Sequence, residues 1–468
     1  MDRPYDYDET LAHVRTCSRP SELKITDIRF AHITAASMHC ILVKIYTNQG
    51  LVGMGEIRDG SSATYAAMLK SRLLGENPCD VDRLFRKIKQ FGGQSRQGGG
   101  VSGLEIALWD LAGKAYGIPV YRMLGGKFRD CVRMYCDQGR TPPAMRETGT
   151  NQAKAIKERM DRFGFKMCKT VLSVEDVAQR HPDEDILIAP PDFLDSILHK
   201  PENAAATDPV TGLAKVLDKP AERKMNDYLY TEHPYTMLRV TDRGLDRYEE
   251  HIAQMREVLG WRTPLAIDHV GHMGLDDAKR LMKRLEKYNL LWCEDVLPWY
   301  MVDEYVELRQ YATTPLATGE DAYLTESFEP LCKRRAVAVI HPDICSNGGI
   351  LETKKMGDMA QKYNTALAMH MCETPVAALA TTHAGVATEN FFAMEFNAPD
   401  DDYWQDIVTG LDEPLIQNGT MRPNDKPGLG MEDFNDEVLR EHQWKGSPEI
   451  WQSTEEWDKE YSYDRLWS

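Results

Sequence analysis

Eight short apolar segments follow one another between residues 134 and 396, and helical patterns lie between most of them. This alternation is typical of parallel strands joined by crossover helices, and about eight such strands in sequence favour a closed barrel over an open sheet. We therefore expect an α/β barrel. Its strands are predicted at residues 134–137, 166–171, 265–268, 291–294, 316–320, 338–342, 366–370 and 392–396.

The residues around this barrel indicate further units. Residues 25–33, 40–47 and 51–56 are strand-like, with a turn at Asn48-Gln49-Gly50, and helical patterns follow them up to residue 114. We predict an α+β unit at 1–132, the barrel at 133–410 and an acidic, tryptophan-rich tail at 411–468, packed on the body or on another subunit. A polar, proline-rich insertion at 172–242 interrupts the barrel, and loops of this length are usually lids or disordered segments.

The composition excludes several classes of function. The chain has 56 basic and 73 acidic residues, a net charge of −17, which repels nucleic acids and membranes. No run approaches the roughly 18 apolar residues of a membrane span, and the acidic first residues do not resemble a signal peptide. Because the ten cysteines form no C-x-x-C pair or close cluster, we expect a cytoplasmic protein without a disulfide framework.

Three carboxylates stand at the ends of three successive predicted strands, spaced 26 residues apart: Asp268, Glu294 and Glu320. One βα unit has about this length, so their oxygens should converge at the face of the barrel where the strands end. Such hard ligands suit Mg²⁺. The alternative is that each is a solvated charge near the start of a helix, but the equal spacing favours a metal site.

Other ionisable residues end neighbouring strands. Lys169 ends the second strand and is a candidate to hold a substrate carboxylate or to act as a base, unless it is a surface residue. His370 ends the seventh strand, and Asp343, one strand away, could orient it as a general base or acid; the alternative is a core histidine. Glu395 ends the eighth strand. If protonated, it could donate a hydrogen bond to the oxygen on which charge develops; the alternative is a structural salt-bridge partner.

Taken together, these positions resemble the enolase superfamily, and in particular its mandelate-racemase-like subgroup with the acid-sugar dehydratases. The resemblance covers nearly the whole chain. It rests on the evenly spaced carboxylates and on four motifs: Val52-Gly53-Met54-Gly55-Glu56, Ala107-Leu108-Trp109-Asp110-Leu111-Ala112-Gly113-Lys114, Gly117-Ile118-Pro119-Val120-Tyr121-Arg122-Met123-Leu124-Gly125-Gly126, and Pro342-Asp343-Ile344-Cys345-Ser346-Asn347-Gly348-Gly349-Ile350 followed by His370.

The resemblance implies a (β/α)₇β modified TIM barrel, capped by an α+β domain that the N-terminal region and the C-terminal tail build together. It implies Mg²⁺ on Asp268, Glu294 and Glu320, with the carboxylate of a small-molecule substrate on the metal and Lys169. His370, oriented by Asp343, would remove or return the proton on the adjacent carbon. Mg²⁺, Lys169 and Glu395 would then stabilise the enediolate. It also implies a homo-oligomer.

One departure from the subgroup bears on the reaction. The racemases end their second strand in Lys-x-Lys, whereas this chain reads Lys169-Thr170-Val171, so the base for the opposite face is missing. Eliminating a β-hydroxyl from a sugar acid needs one base and one acid, which favours a carbon–oxygen lyase. The alternatives are an epimerase or cycloisomerase with the same proton abstraction, and a non-catalytic sugar-acid-binding protein.

Four residues are weaker candidates for contacts with the substrate. His269 and His272 follow the predicted metal ligand Asp268, although some dehydratases of the subgroup place a histidine two positions after this aspartate, where this chain has Val270. Tyr230 and His233 belong to the long insertion, which would emerge beside the active-site face. The capping loops around residues 32–39 and 55–62 and the long insertion are expected to decide specificity.

Overall fold

The structure is a computed structural model that describes residues 18–36, 38–138, 147–173, 181–188, 239–268, 270 and 273–459. The N-terminal unit begins with an antiparallel sheet of three consecutive strands, β1 (Ile25–Ala35), β2 (Met38–Thr47) and β3 (Val52–Ile57). β1 and β2 extend a little beyond the predicted strands, and β3 is shifted by one residue from its predicted bounds. Within the described residues no helix has the length and apolar character needed to cross a membrane.

Helices cover this sheet. Short helices α1 (Thr64–Ala67), α2 (Lys70–Leu73) and α3 (Val81–Ile88) precede the long α4 (Gly99–Tyr116), and α5 (Val120–Met123) follows. Helix α4 lies directly on β3, because Gly55 has no side chain: a Cβ atom there would stand 2.1 Å from the carbonyl oxygen of Gly103. The close approach of α4 explains the Gly53-Met54-Gly55 pattern within β3.

The barrel is closed and has the predicted order. Its eight strands are parallel, each pairs with the next along the chain, and the last pairs with the first. The fold class is therefore confirmed. The strands are β4 (Val132–Cys136), β5 (Cys168–Val171), β8 (Leu265–Asp268), β9 (Cys293–Glu294), β10 (Leu316–Thr318), β11 (Val339–Ile340), β12 (Ala366–Met369) and β13 (Phe391–Phe396).

In the described residues each of the first seven barrel strands is followed by a helix that leads to the next strand, and the chain after β13 returns to α-helix only at α14 (Asp436–Glu441). This is the (β/α)₇β pattern. The helices are α6 (Gly149–Phe163), α8 (Asp242–Leu259), α9 (Leu275–Leu285), α10 (Val302–Tyr311), α11 (Thr325–Lys333), α12 (Ile350–Lys362) and α13 (Pro375–Val386).

The interior of the barrel has a packed layer directly beneath a polar one. Each strand, or the residue just before it, contributes one side chain to the lower, mainly apolar layer, namely Tyr135, Met167, Ala266, Trp292, Ala317, Val339, Ala368 and Ala393. Because side chains alternate along a strand, the residue two positions later belongs to the same face. That second layer reads Asp137, Lys169, Asp268, Glu294, Gly319, His341, His370 and Glu395.

The insertion and the tail lie at the edges of this body. The described part of the insertion holds a short helix α7 (Pro182–Asp185) and an antiparallel pair, β6 (Ile186–Ile188) with β7 (Arg239–Val240). A hairpin, β14 (Ile416–Gln417) and β15 (Thr420–Met421), pairs with β4. The tail then follows the outer edge of β1, where Trp444 and Trp451 donate backbone hydrogen bonds to its carbonyls.

Candidate active site

Carboxylates from three adjacent strands converge at the end of the barrel. Asp268, Glu294, Asp295 and Glu320 each have an oxygen within 4.8 Å of the others. Three of these were predicted from the sequence. Asp295 was not, because it follows Glu294 directly and alternation would turn it away; its backbone has a φ of +47°, and its Oδ1 accepts a hydrogen bond from Thr318 Oγ1 at 2.6 Å.

Lys169 lies among these carboxylates and has no exposed surface. Its Nζ is 2.6 Å from Asp268 Oδ2, 3.1 Å from Glu294 Oε1 and 3.2 Å from Glu395 Oε2. Burial lowers the pKa of Lys169, but the three carboxylates outweigh it and hold that pKa well above its ordinary value. The lysine is therefore a fixed positive charge beside the acidic cluster, not a surface residue.

His370 and Asp343 form a hydrogen-bonded pair on the other side of the cluster. His370 Nδ1 lies 2.8 Å from Asp343 Oδ2, and His370 Nε2 lies 3.6 Å from Glu320 Oε2. The backbone N–H of Cys345 donates to Asp343 Oδ1 at 2.7 Å and fixes the carboxylate from its other side. With Nδ1 facing Asp343, Nε2 is the ring nitrogen that faces the carboxylate cluster.

Opposing effects set the charges of this pair. Burial raises the pKa of Asp343, but Arg58 and His370 outweigh it and lower that pKa to about 2. Burial lowers the pKa of His370, but Glu320 and Asp343 outweigh it and raise that pKa to about 10. The surrounding carboxylates therefore favour the charged form of the imidazole.

The capping domain contributes a residue to this pair that sequence reasoning missed. Arg58 follows β3, is fully buried, and places Nη1 2.5 Å from Asp343 Oδ2 and 2.7 Å from His370 Nδ1. Its Nη2 lies 3.3 Å from Glu320 Oε1. The only sequence signal was its place in the capping loop at 55–62, because nothing in the order of residues shows which capping side chain reaches the barrel.

Two further residues that the sequence did not single out join the two sides. Tyr135 Oη lies 2.7 Å from His341 Nε2 and donates to Glu395 Oε2 at 3.4 Å. His341 Nδ1 lies 2.8 Å from Glu294 Oε1. Burial raises the pKa of Glu395 to about 8 despite the charge of Lys169, which favours the protonated carboxyl group.

The weaker candidates fall outside the part of the chain that the structure describes. These are His269, His272, Tyr230 and His233. Their part in substrate binding stays a prediction.

The chain is similar to known proteins over most of its length. Residues 12–125 match the family model "Mandelate racemase / muconate lactonizing enzyme, N-terminal domain", and residues 221–437 match "Enolase C-terminal domain-like". A D-xylonate dehydratase of Haloferax volcanii is 31% identical over 88% of this chain and 87% of its own length. A D-galactonate dehydratase of Variovorax paradoxus is 25% identical over 88% of this chain and 92% of its own length.

Solved structures agree with these relatives. A mandelate racemase/muconate lactonizing enzyme-like protein from Rubrobacter xylanophilus superimposes with a TM-score of 0.72 at 27% identity, covering 92% of this chain and all of the other. The resemblance inferred from the sequence is thereby confirmed. The chain belongs to the mandelate racemase/muconate lactonizing enzyme family of the enolase superfamily, and within it groups with proteins named as sugar-acid dehydratases.

Proposed function

We propose that the protein is a Mg²⁺-dependent dehydratase that removes the proton next to the carboxylate of a sugar acid, eliminates the β-hydroxyl and yields a 2-keto-3-deoxy acid. The observation that carries the proposal is the convergence of a carboxylate cluster, a buried lysine and an Asp–His pair at one end of the barrel. The names of the relatives support sugar acids as the substrate class.

The carboxylate cluster fits a magnesium ion. Of the three groups in the described residues that could hold a metal, it alone consists entirely of carboxylates; the other two include cysteine. Mg²⁺ prefers oxygen ligands and keeps several water molecules, so Asp268, Glu294 and Glu320 would hold it. Bound there, it would polarise the substrate carboxylate and stabilise the negative charge that develops on it.

The residues around the cluster divide the remaining work. Lys169 binds the substrate carboxylate, because its ammonium is fixed and charged. With a cation on the cluster, Glu320 would favour the imidazolium less, so that the neutral Nε2 of His370, held in place by Asp343, removes the proton from C2. The electron pair of the broken C–H bond passes into the enediolate. Glu395, neutral through burial, donates a hydrogen bond to the oxygen that gains charge.

The same histidine can complete the elimination. When the enediolate collapses, the C3–O bond breaks, and the proton on His370 Nε2 goes to the departing hydroxide to form water. The enol product then becomes the 2-keto-3-deoxy acid. Val171 has no ionisable group for the opposite face of the substrate, which disfavours two-base racemisation.

The proposal is tested by offering the protein a panel of sugar acids that includes D-xylonate and D-galactonate, with Mg²⁺ or with EDTA, and assaying 2-keto-3-deoxy acids. We expect Mg²⁺-dependent keto acid from at least one of them. His370→Asn serves as the matched control for background elimination. Solvent exchange of the C2 proton without keto acid would point instead to an epimerase or cycloisomerase, and binding without either would point to a sugar-acid-binding protein.

We also propose that the protein works as a homo-oligomer in the cytoplasm. In support of a reducing compartment, the nine cysteines within the described residues are all free thiols, although seven of them are buried. Light scattering of the purified protein would give the oligomeric state. A monomer at micromolar concentration would contradict the proposed homo-oligomer.

A further inference from the structure

Asp137 is the one acidic side chain of the polar layer that has no role in the proposed mechanism. Asp137 follows β4, and its backbone N–H donates to the carbonyl of Phe396 on β13 at 3.1 Å. The chain at Asp137 is therefore still extended and hydrogen-bonded to the eighth barrel strand. Side chains of such a segment alternate between its two faces.

The neighbours of Asp137 fix the direction of its side chain. Tyr135 belongs to the packed interior layer of the barrel, whereas Cys136 belongs to the larger core outside it. Gln138 also faces outward, where its Oε1 accepts a hydrogen bond from Gln152 Nε2 of α6 at 2.8 Å. Asp137, between two outward-facing residues, therefore points into the barrel.

Asp137 has a buried oxygen that no described group satisfies. The residue is 4% exposed, and its Oδ1 is buried without a hydrogen-bond partner among the described residues. Burial raises the pKa of its carboxyl group to about 6, against the opposing charge of Lys169. Leaving a buried acceptor unpaired is unfavourable, so the working site is expected to supply a donor.

We infer that Asp137 Oδ1 accepts a hydrogen bond from a hydroxyl group that the substrate carries beyond C2. The inference rests on the proposed function, because only a polyhydroxylated acid brings such a hydroxyl. Lys169, on the adjacent strand, takes the carboxylate end of the substrate, and Val171 at the end of that strand has no polar side-chain atom for a hydroxyl. Asp137 is thus a specificity-determining residue for the sugar part of the substrate.

The test measures binding without turnover. In the full chain carrying His370→Asn and saturated with Mg²⁺, Asp137→Ala and Asp137→Asn are compared by calorimetry for D-xylonate, D-galactonate and 2-hydroxypentanoate. The last ligand keeps the carboxylate and the C2 hydroxyl but lacks all others. Asp161→Ala removes an exposed aspartate of α6 and is the control for the substitution itself.

We expect Asp137→Ala to weaken binding of the sugar acid about 10- to 100-fold and that of 2-hydroxypentanoate less than about twofold. Asp137→Asn, which keeps an acceptor oxygen, should lose less. Equal losses for both ligands would show a structural role, and no loss for either would show no contact; each overturns the inference and leaves the proposed function standing. If no sugar acid binds even with Asp137 intact, both are overturned.

Discussion

The two sides of the candidate site draw their residues from different distances along the chain. The carboxylate side comes from three successive strands at equal spacing, so the barrel builds it alone. The side with His370 is completed by Arg58, which stands 312 positions away in the capping domain. The difference shows that the repeat of βα units supplies the carboxylates and the Asp–His pair, whereas the fit of cap to barrel supplies Arg58.

The capping domain is held in place by contacts that are themselves buried. Glu105 of α4 accepts hydrogen bonds from the backbone N–H groups of Ile350 and Leu351, at 2.7 and 3.0 Å, where the barrel helix α12 begins. Glu56 of β3 accepts them from Thr374 and Ala377 at the start of α13. Helix N-termini of the barrel are thus capped by acids of the other domain, which fixes where Arg58 enters the site.

The largest effect is expected on the carboxylate side. Glu294→Gln removes one anionic oxygen from the cluster, and we expect Mg²⁺ affinity to fall at least about 100-fold and turnover about 10⁴-fold, because the charge that stabilises the intermediate is lost. Calorimetry with Mg²⁺ and the keto-acid assay measure the two. Glu307→Gln, an exposed carboxylate in α10, is the control; unchanged Mg²⁺ affinity in Glu294→Gln would remove this residue from the metal site.

His370→Asn should separate the two sides. We expect turnover to fall about 10³-fold, because the base is gone, while Mg²⁺ affinity stays within about threefold, since His370 is not one of the proposed ligands. The same two measurements apply. A variant that keeps substantial activity would take His370 out of its role.

Arg58→Met tests what the cap adds. We expect turnover to fall about 10- to 100-fold, with Arg58→Lys recovering part of it because the charge returns. Burial and Arg58 lower the pKa of His370, whereas Glu320 and Asp343 raise it. Without Arg58 the imidazole stays protonated to higher pH, so the acid limb of the kcat/KM profile should move to higher pH in Arg58→Met and stay near its place in Arg58→Lys.

Arg58 would be only structural if both variants lost activity equally at every pH. A thermal unfolding curve for each variant separates that case from loss of the fold.

Tyr135→Phe should have the smallest effect. It removes the hydroxyl between His341 and Glu395 while the ring stays in the packed layer. We expect a fall of about three- to tenfold in kcat with little change in Mg²⁺ affinity. The reason is that His341 keeps its contact with Glu294 and Glu395 keeps its contact with Lys169. A loss as large as that of His370→Asn would mean that the hydroxyl acts on the substrate itself.

The sequence was sufficient where a local pattern repeats. The eight strands were predicted close to their bounds because each is a short apolar run, and the convergence of Asp268, Glu294 and Glu320 follows from strand ends meeting at one face. Lys169, His370 and Asp343 could be predicted in the same way, since each lies at or shortly after the end of a barrel strand.

The sequence was insufficient where packing between distant segments decides. Arg58 reaches His370 only because β3 and α4 place the capping loop over the barrel, and no periodicity reports that. Asp295 has a backbone with positive φ, so alternation along the strand gives the wrong direction for its side chain. In the sequence Tyr135 looks like an ordinary position of an apolar strand and His341 like an isolated histidine. Only the distance of 2.7 Å between Tyr135 Oη and His341 Nε2 shows that they are linked.

Proton NMR of the sugar-acid panel with the Mg²⁺-loaded protein in D₂O would test the proposed elimination. We expect a 2-keto-3-deoxy acid with one solvent deuterium at C3, which the enol product acquires when it becomes the ketone, and no accumulation of the C2 epimer. A sugar acid that gains deuterium at C2 without keto acid, or a panel that stays unchanged, would contradict it.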